Sequence, residues 1–223
     1  MDISIFEVLG PVMIGPSSSH TAGAARIGRT ARQLLGEAPV RADIGLYGSF
    51  ATTGRGHGTD RAIVAGLLGM KPDDPRLPDS FALAEQAGLA FDIHPVELRA
   101  AHPNTAVLAL EGPTRRLNLS AASVGGGRIR VTSIDGVAAD FGGDANTLII
   151  HNDDTPGCIA EVALALARRQ INVASMQVFR SAPGGEAVMV LECDSHIPAP
   201  LEFQLTAVPG IRKVTCLNVD DKA

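Results

Sequence analysis

The sequence predicts an α/β (α+β) chain in two parts: a mixed α/β domain over residues 1–140 and a smaller β-α-β-β-α-β module over residues 146–223. Three observations carry this reading. The 223 residues suffice for one large domain or two small ones. Apolar residues recur at helical spacing in some segments of the first part and alternate in others, whereas the last third passes once through strand, helix, two strands, helix and strand. Between them, Asp135 to Asp144, with Gly136, Gly142 and Gly143, reads as a linker.

In the first part, Thr21 to Leu35 is predicted to be a helix, with Ile27, Ala31, Leu34 and Leu35 on one face and Gly36 stopping it. Val40, Ala42, Ile44 and Leu46 alternate with other residues, which marks a strand. Asp60 to Leu68 returns to helical spacing through Ile63, Val64, Leu67 and Leu68, and Gly69 ends it. Ser80 is expected to cap a further helix that closes near Gly88. Thr105–Leu110, Arg116–Ala121 and Arg128–Ile134 read as three strands joined by turns, at least one antiparallel meander.

The module begins with a β-branched strand, Asn146–Asn152, and a turn or helix entry at Asp153–Gly157. From Cys158 to Gln170, Ile159, Val162, Ala163 and Leu166 fall at i, i+3, i+4 and i+7, one face of a helix. Strands Ile171–Ser181 and Glu186–Asp194 flank the turn Ala182-Pro183-Gly184-Gly185. A short helix around Pro200–Val208, then Gly210, leads to a last strand, Arg212–Val219. This order is the ferredoxin-like one, with two helices on one face of an antiparallel sheet.

Composition narrows the function. A chain 45% hydrophobic and 19% charged can bury a core and is not disordered. A net charge of −5 speaks against a nucleic-acid partner, which needs a basic face to neutralise phosphates. Met1-Asp2-Ile3-Ser4 shows no basic region ahead of an apolar run, and no apolar stretch reaches the ~18 residues of a membrane span, so no membrane partner and a cytoplasmic location are expected. The three cysteines, Cys158, Cys193 and Cys216, are widely spaced and fit neither a disulfide framework nor a zinc knuckle. They also fall short of the four thiolates of an ordinary iron–sulfur site.

Five segments carry candidate chemistry. Gly15-Pro16-Ser17-Ser18-Ser19-His20-Thr21 places three hydroxyls and a histidine where a loop enters a helix, a setting that favours a carboxylate or phosphate; a simple helix cap is the alternative, but needs one serine only. In Thr52-Thr53-Gly54-Arg55-Gly56-His57-Gly58-Thr59-Asp60, the glycines allow close backbone approach and put His57 at a strand end, where its near-neutral pKa suits acid/base work; a flexible connection is the alternative. Ser123-Val124-Gly125-Gly126-Gly127 alone is a hairpin turn with glycines at positive φ, and Ala101-His102-Pro103-Asn104-Thr105 alone is a loop entering a strand. Asn152-Asp153-Asp154-Thr155-Pro156-Gly157 fits either an amino-acid site or a connection capped by Asp and Thr. His94, His151 and His196 have no partner legible in the sequence, and Arg26, Arg29 and Arg32 read as a solvated helix flank.

Glu7-Val8-Leu9-Gly10-Pro11-Val12 to Gly15–Thr21, followed by Gly56-His57-Gly58-Thr59-Asp60, His102-Pro103-Asn104 and Ser123–Gly127, resembles the beta chain of the bacterial iron–sulfur L-serine dehydratases. Asp154-x-Pro156-Gly157 before the helix and Ile171-Asn172-Val173 after it resemble an ACT domain, a small-molecule regulatory module. Together the two resemblances cover nearly the whole chain.

The resemblance implies elimination of water from L-serine to aminoacrylate, which decays to pyruvate and ammonia, without pyridoxal phosphate. It implies a [4Fe–4S] cluster whose open iron takes the substrate hydroxyl, ligated in two-chain members by the alpha subunit. By motif match His20 and His57 are the catalytic candidates, with the choice of base open. Ser17, Ser18, Ser19 and Thr21 would hold the substrate carboxylate, and Gly125, Gly126 and Gly127 would line the pocket. Asn152, Asp154 and Gly157 would bind an effector, with L-serine as substrate and candidate effector, and ACT pairing implies a homodimer. No metal ligand is expected in this chain, which should be inactive without its alpha subunit. The competing reading is a non-catalytic amino-acid-binding regulatory protein.

Overall fold

The computed structural model describes residues 13–219; Met1–Ser4 and the Glu7–Val12 part of the resemblance lie outside the described residues. Two compact units divide the chain, Met1–Asp135 and Gly136–Ala223.

The first unit is built on a helix pair. Ser17 is extended, and its Oγ accepts from the His20 N–H at 3.1 Å. The helix therefore begins at Ser18 rather than at Thr21, with one π-type turn, α1 (Ser18–Gly23), leading into α2 (Ala24–Leu35). Gly36 ends it in the left-handed conformation at φ 80°. After β1 (Arg41–Leu46) come α3 (Ser49–His57) and α4 (Thr59–Leu67). Helix α2 buries Ile27, Ala31, Leu34 and Leu35, and α4 buries Ile63, Val64 and Leu67. Each of the buried isoleucines, leucines and valines contributes about 1.5–3 kcal/mol on leaving water.

The two helices meet backbone to backbone. A Cβ at Gly28 would lie 2.1 Å from the Ile63 carbonyl oxygen, and one at Gly66 2.1 Å from that of Ala25. Outside this crossing, Thr21, just ahead of α2, meets His57, just ahead of α4, and Arg32 near the end of α2 reaches Leu67 at the end of α4. The helices thus run in the same sense and bring their N-terminal ends together.

Helix α5 (Ser80–Gln86) precedes β2 (Ala90–Pro95), β3 (Thr105–Glu111), β4 (Arg116–Gly125), β5 (Arg128–Ile134) and β6 (Val137–Phe141). Within the first unit the strand order is β2-β1-β3-β4-β5; β1 and β2 are parallel, and β3, β4 and β5 form the expected antiparallel meander.

Several expectations change here. Ser80 is not a cap: it is buried, and its Oγ donates to the Arg61 carbonyl at 2.8 Å. The linker segment contains β6, whose buried Val137, Ala139 and Phe141 alternate with less buried residues; the flanking glycines obscured that short period. Arg26, Arg29 and Arg32 are half-buried rather than solvated, and Arg32 Nη1 donates to the Leu67 carbonyl at 2.9 Å. Strand β2 is thinly buried and carries no strong apolar alternation, so it was not legible.

Besides β6, the second unit holds β7 (Asn146–Asp153), α6 (Cys158–Ala167), β8 (Val173–Arg180), β9 (Glu186–Cys193), α7 (Ala199–Thr206) and β10 (Ile211–Leu217). The four-stranded sheet β10-β7-β9-β8 is antiparallel throughout, as the ferredoxin-like reading requires. Val162, Ala165 and Leu166 of α6 and Leu201 and Leu205 of α7 pack on Leu148, Ile150, Met189, Leu191 and Val214. The face of α6 is rotated from the expected one: Ile159 is 48% exposed, while Cys158 and Ala165 turn inward. Of the four helix-spaced residues, Val162 and Leu166 lie on the buried face and Ile159 and Ala163 do not; apolar residues on both sides of that face left the phase ambiguous.

The helix crossing gives a stability test. Gly66→Ala should lower stability by about 1–3 kcal/mol through overpacking, despite the roughly 1 kcal/mol that alanine gains in helix propensity. Gly56→Ala in α3, where nothing lies within 4 Å, should stabilise or do nothing. Urea unfolding of both variants measures this, and an unchanged midpoint for Gly66→Ala would contradict the close approach.

Candidate active site

The parallel helix pair sets His20 in α1 beside His57, with ring centroids 4.9 Å apart. His57 is not at a strand end in a glycine loop, as expected, but is the last residue of α3. Gly58 then turns left-handed at φ 70° and starts α4. Helix α3 escaped the sequence reading because two threonines and two glycines give it low intrinsic propensity; only Phe50 and Gly54 are buried.

The Thr21 hydroxyl, buried at 1% exposure, donates to the His57 carbonyl at 2.9 Å. Its proton is therefore committed to joining the two histidine segments and is not free for a carboxylate. His57 Nδ1 lies 3.0 Å from the Thr53 carbonyl oxygen. A carbonyl only accepts, so Nδ1 carries the proton, and the neutral ring has its lone pair at Nε2.

His20 is surrounded by hydroxyls. Its Nδ1 is 3.2 Å from Ser19 Oγ, and its Nε2 is 3.0 Å from both Ser49 Oγ and Thr53 Oγ1. Phe50 meets the ring edge-on at 5.4 Å between centroids. Burial and the neighbouring His57 hold His20 below the ordinary histidine pKa, against a smaller opposing effect of the Ser49 main chain. Ser17 Oγ lies 3.3 Å from Ser19 Oγ, and Ser18 is half-buried in the same turn.

The other motif segments converge on this place from distant parts of the chain. Gly48, at φ 59°, lets the chain enter α3 against Pro103, whose carbonyl oxygen a Cβ there would meet at 2.7 Å. The Phe50 N–H donates to that Pro103 carbonyl, and the Ser123 N–H donates to the Asn104 carbonyl at 2.9 Å. Ser123 packs on Gly23 of α1, where a Cβ would stand 2.0 Å from its Oγ, an oxygen buried without a partner. Gly125, Gly126 and Gly127 form the tip of the β4–β5 hairpin with φ of 95°, 60° and 73°, as the turn reading expected. Among the described residues no hydrogen bond joins that tip to either imidazole. Sequence reasoning missed Ser49 and the roles of Thr53 and Phe50; a serine at a helix start in front of the histidine segment was the one available signal.

In the second unit, Asn152 is buried, with Nδ2 donating to the Asp153 carbonyl at 2.7 Å and Oδ1 unpartnered. Asp154 accepts from the Gly184 N–H at 2.9 Å and pairs with Arg180 at 3.2 Å, which together lower its pKa. It does not cap α6. Gly157 has open space around its Cα.

The cysteines do not fit an iron–sulfur cluster. All three lie in the second unit, burial raises Cys193 and pushes Cys216 up to about 12, and neither is a ready thiolate. Asp43, Asp92 and His94 stand close enough to share a cation, but with oxygen and nitrogen donors on an open face. His94 thus has a partner after all, Asp43 Oδ1 at 2.9 Å, which raises its pKa. Among the described residues no helix is long and apolar enough to cross a membrane.

The lowered pKa of His20 has a measurable sign. Between its folded value and the ordinary 6.5 the unfolded chain binds more protons, so stability is fully present above 6.5 and falls as pH drops through that window. Denaturant unfolding across pH should show this slope, and His20→Asn should reduce it.

Residues 4–87 match the family model for the serine dehydratase beta chain, and residues 146–210 that for the ACT domain. The chain is 42% identical over 212 residues to a probable L-serine dehydratase beta chain of Bacillus subtilis, covering 95% of this chain and 96% of that one. It is 35% identical to the L-serine dehydratase beta chain of Peptoniphilus asaccharolyticus, with 96% of each covered. A D-3-phosphoglycerate dehydrogenase of Bacillus subtilis is 27% identical over 160 residues, 71% of this chain but 30% of that enzyme. With its histidine pair, its ferredoxin-like module and full-length similarity to two such subunits, the chain belongs to the L-serine dehydratase beta-chain family.

Proposed function

We propose that this chain works with a separate, cluster-bearing alpha subunit to deaminate L-serine to pyruvate and ammonia. The observation that carries the reading is the His20–His57 pair, 4.9 Å apart, in which His57 Nε2 keeps a bare lone pair while a main-chain carbonyl fixes its ring. Such a nitrogen can take the Cα proton of serine; the β-hydroxyl leaves with a proton as water, giving aminoacrylate, whose imine tautomer water hydrolyses to pyruvate and ammonia. His20, kept neutral by burial, orients the neighbouring hydroxyls. The Ser18 hydroxyl and the main-chain N–H groups of Ser18 and Ser19, at the positive end of α1 and α2, suit the substrate carboxylate, with Ser17 and Ser19 shaping the turn and Gly125–Gly127 bounding the pocket. Because the cysteines of this chain do not fit a [4Fe–4S] cluster, its ligands belong with the alpha subunit.

The chain alone is expected to be inactive, and anaerobic reconstitution with the alpha subunit to give serine-dependent pyruvate. His57→Ala should cut kcat by roughly 10²–10⁴-fold with a far smaller change in KM. Unchanged turnover would favour a purely regulatory, amino-acid-binding role.

The ACT unit is proposed to bind L-serine near Asn152 and Gly157, where a buried amide oxygen lacks a donor beside open space, with Asp154 bracing the β8–β9 turn. It is also the proposed homodimer surface. Edge strand β8 exposes Met176 and Val178, and α6 exposes Ile159 and Leu164, apolar surface that a second copy would cover. Calorimetry on the full chain should register L-serine, and Asn152→Ala should lose that heat. Sedimentation should return a dimer that Val178→Asp converts to monomer; a monomeric parent chain would remove this part of the proposal.

A further inference from the structure

We infer that Thr53 is a positioning residue that sets the two imidazoles in opposite tautomers, its side-chain oxygen acting on His20 and its carbonyl on His57. The argument is an account of protons. Thr53 Oγ1 lies 2.9 Å from the Ser49 carbonyl oxygen one helical turn back, and a carbonyl can only accept. The single hydroxyl proton of Thr53 is spent there. The 3.0 Å contact between Thr53 Oγ1 and His20 Nε2 then needs its proton from the ring, so neutral His20 is the Nε2–H form. Ser49 Oγ, 3.0 Å from the same nitrogen and 3.1 Å from Thr53 Oγ1, can accept from the ring and donate to the threonine.

His20 Nδ1 is thereby left bare and accepts from Ser19 Oγ at 3.2 Å, while Ser17 Oγ, 3.3 Å away, donates to Ser19. Donors run in one direction, from Ser17 through Ser19, His20 and Thr53 to the Ser49 carbonyl. On the other side the Thr53 carbonyl takes the Nδ1 proton of His57, leaving Nε2 bare. One residue of α3 thus commits one bare nitrogen on each ring, Nδ1 of His20 and Nε2 of His57. The consequence for catalysis rests on the proposed function, but the tautomers are a property of this chain and can be read without turnover.

The test is long-range proton–nitrogen correlation NMR on the full chain labelled with ¹⁵N-histidine, at a pH where His20 is neutral, with His20→Gln and His57→Gln assigning the two rings. The wild type should show His20 as Nε2–H and His57 as Nδ1–H. Thr53→Val removes the acceptor and frees the Ser49 hydroxyl to donate, so an excess of roughly tenfold in the Nε2–H form should collapse toward a mixture. Thr53→Ser should restore it. His57, held by the main chain, should stay Nδ1–H in all three and so reports that α3 remains folded. Finding His20 as Nδ1–H in the wild type, or an unchanged ratio in Thr53→Val, overturns the inference. Failure of the reconstituted complex to deaminate serine would instead remove the catalytic reading and leave these spectra as they are.

Discussion

The arrangement depends on the close approach of α2 and α4. Glycine at 28 and at 66 lets two backbones touch where any side chain would meet a carbonyl oxygen at 2.1 Å. Since the helices run in the same sense, this contact fixes their N-terminal ends relative to each other. The first is led by the serine-rich turn with His20, the second by His57 at the end of α3. The Thr21–His57 hydrogen bond is the local tie, and the helix crossing is the frame that makes it possible. A histidine pair at this distance needs such a frame: His57 helps to disfavour protonation of His20, and flexible loops would let the two separate.

The first unit and the ACT unit differ in how their polar groups are held. Around His20, three side-chain hydroxyls and a buried phenyl ring fill the surroundings, so the polar groups satisfy one another and leave few free positions. In the ACT unit the reverse holds. The Asn152 oxygen is buried without a donor, and Asp153, Asp154, Glu186, Arg180 and Arg212 are joined in ion pairs along the strand ends. The first setting suits proton handling, which wants defined donors and acceptors. The second suits a ligand that brings its own donor. The cysteines belong to neither, being packed in the core of the second unit as small apolar groups.

Most of the secondary structure was legible because burial writes a period into the chain. Ile27, Ala31, Leu34 and Leu35 announced α2, and the β-branched run Thr147–Ile150 announced β7. Legibility failed where burial was one-sided or slight. Helix α3 buries two residues and carries threonine and glycine, so tertiary contacts at Pro103 and His20 hold it where propensity does not. Strand β6 lay hidden between glycines, and the face of α6 was misjudged because apolar residues surround that helix.

The amino-acid order alone therefore determined the two-part organisation, the ferredoxin-like succession of elements, the short supply of cysteine and the two histidine segments. Each follows from composition or from short-range spacing. Tertiary structure decided what those segments do to each other. It placed His57 on a helix end, spent the Thr21 proton on its carbonyl, ranged Ser49 and Thr53 about His20, and left one bare nitrogen on each ring. These are relations between atoms that lie up to 36 positions apart in the chain, and a hydrogen bond over such a separation exists only once packing has fixed both ends.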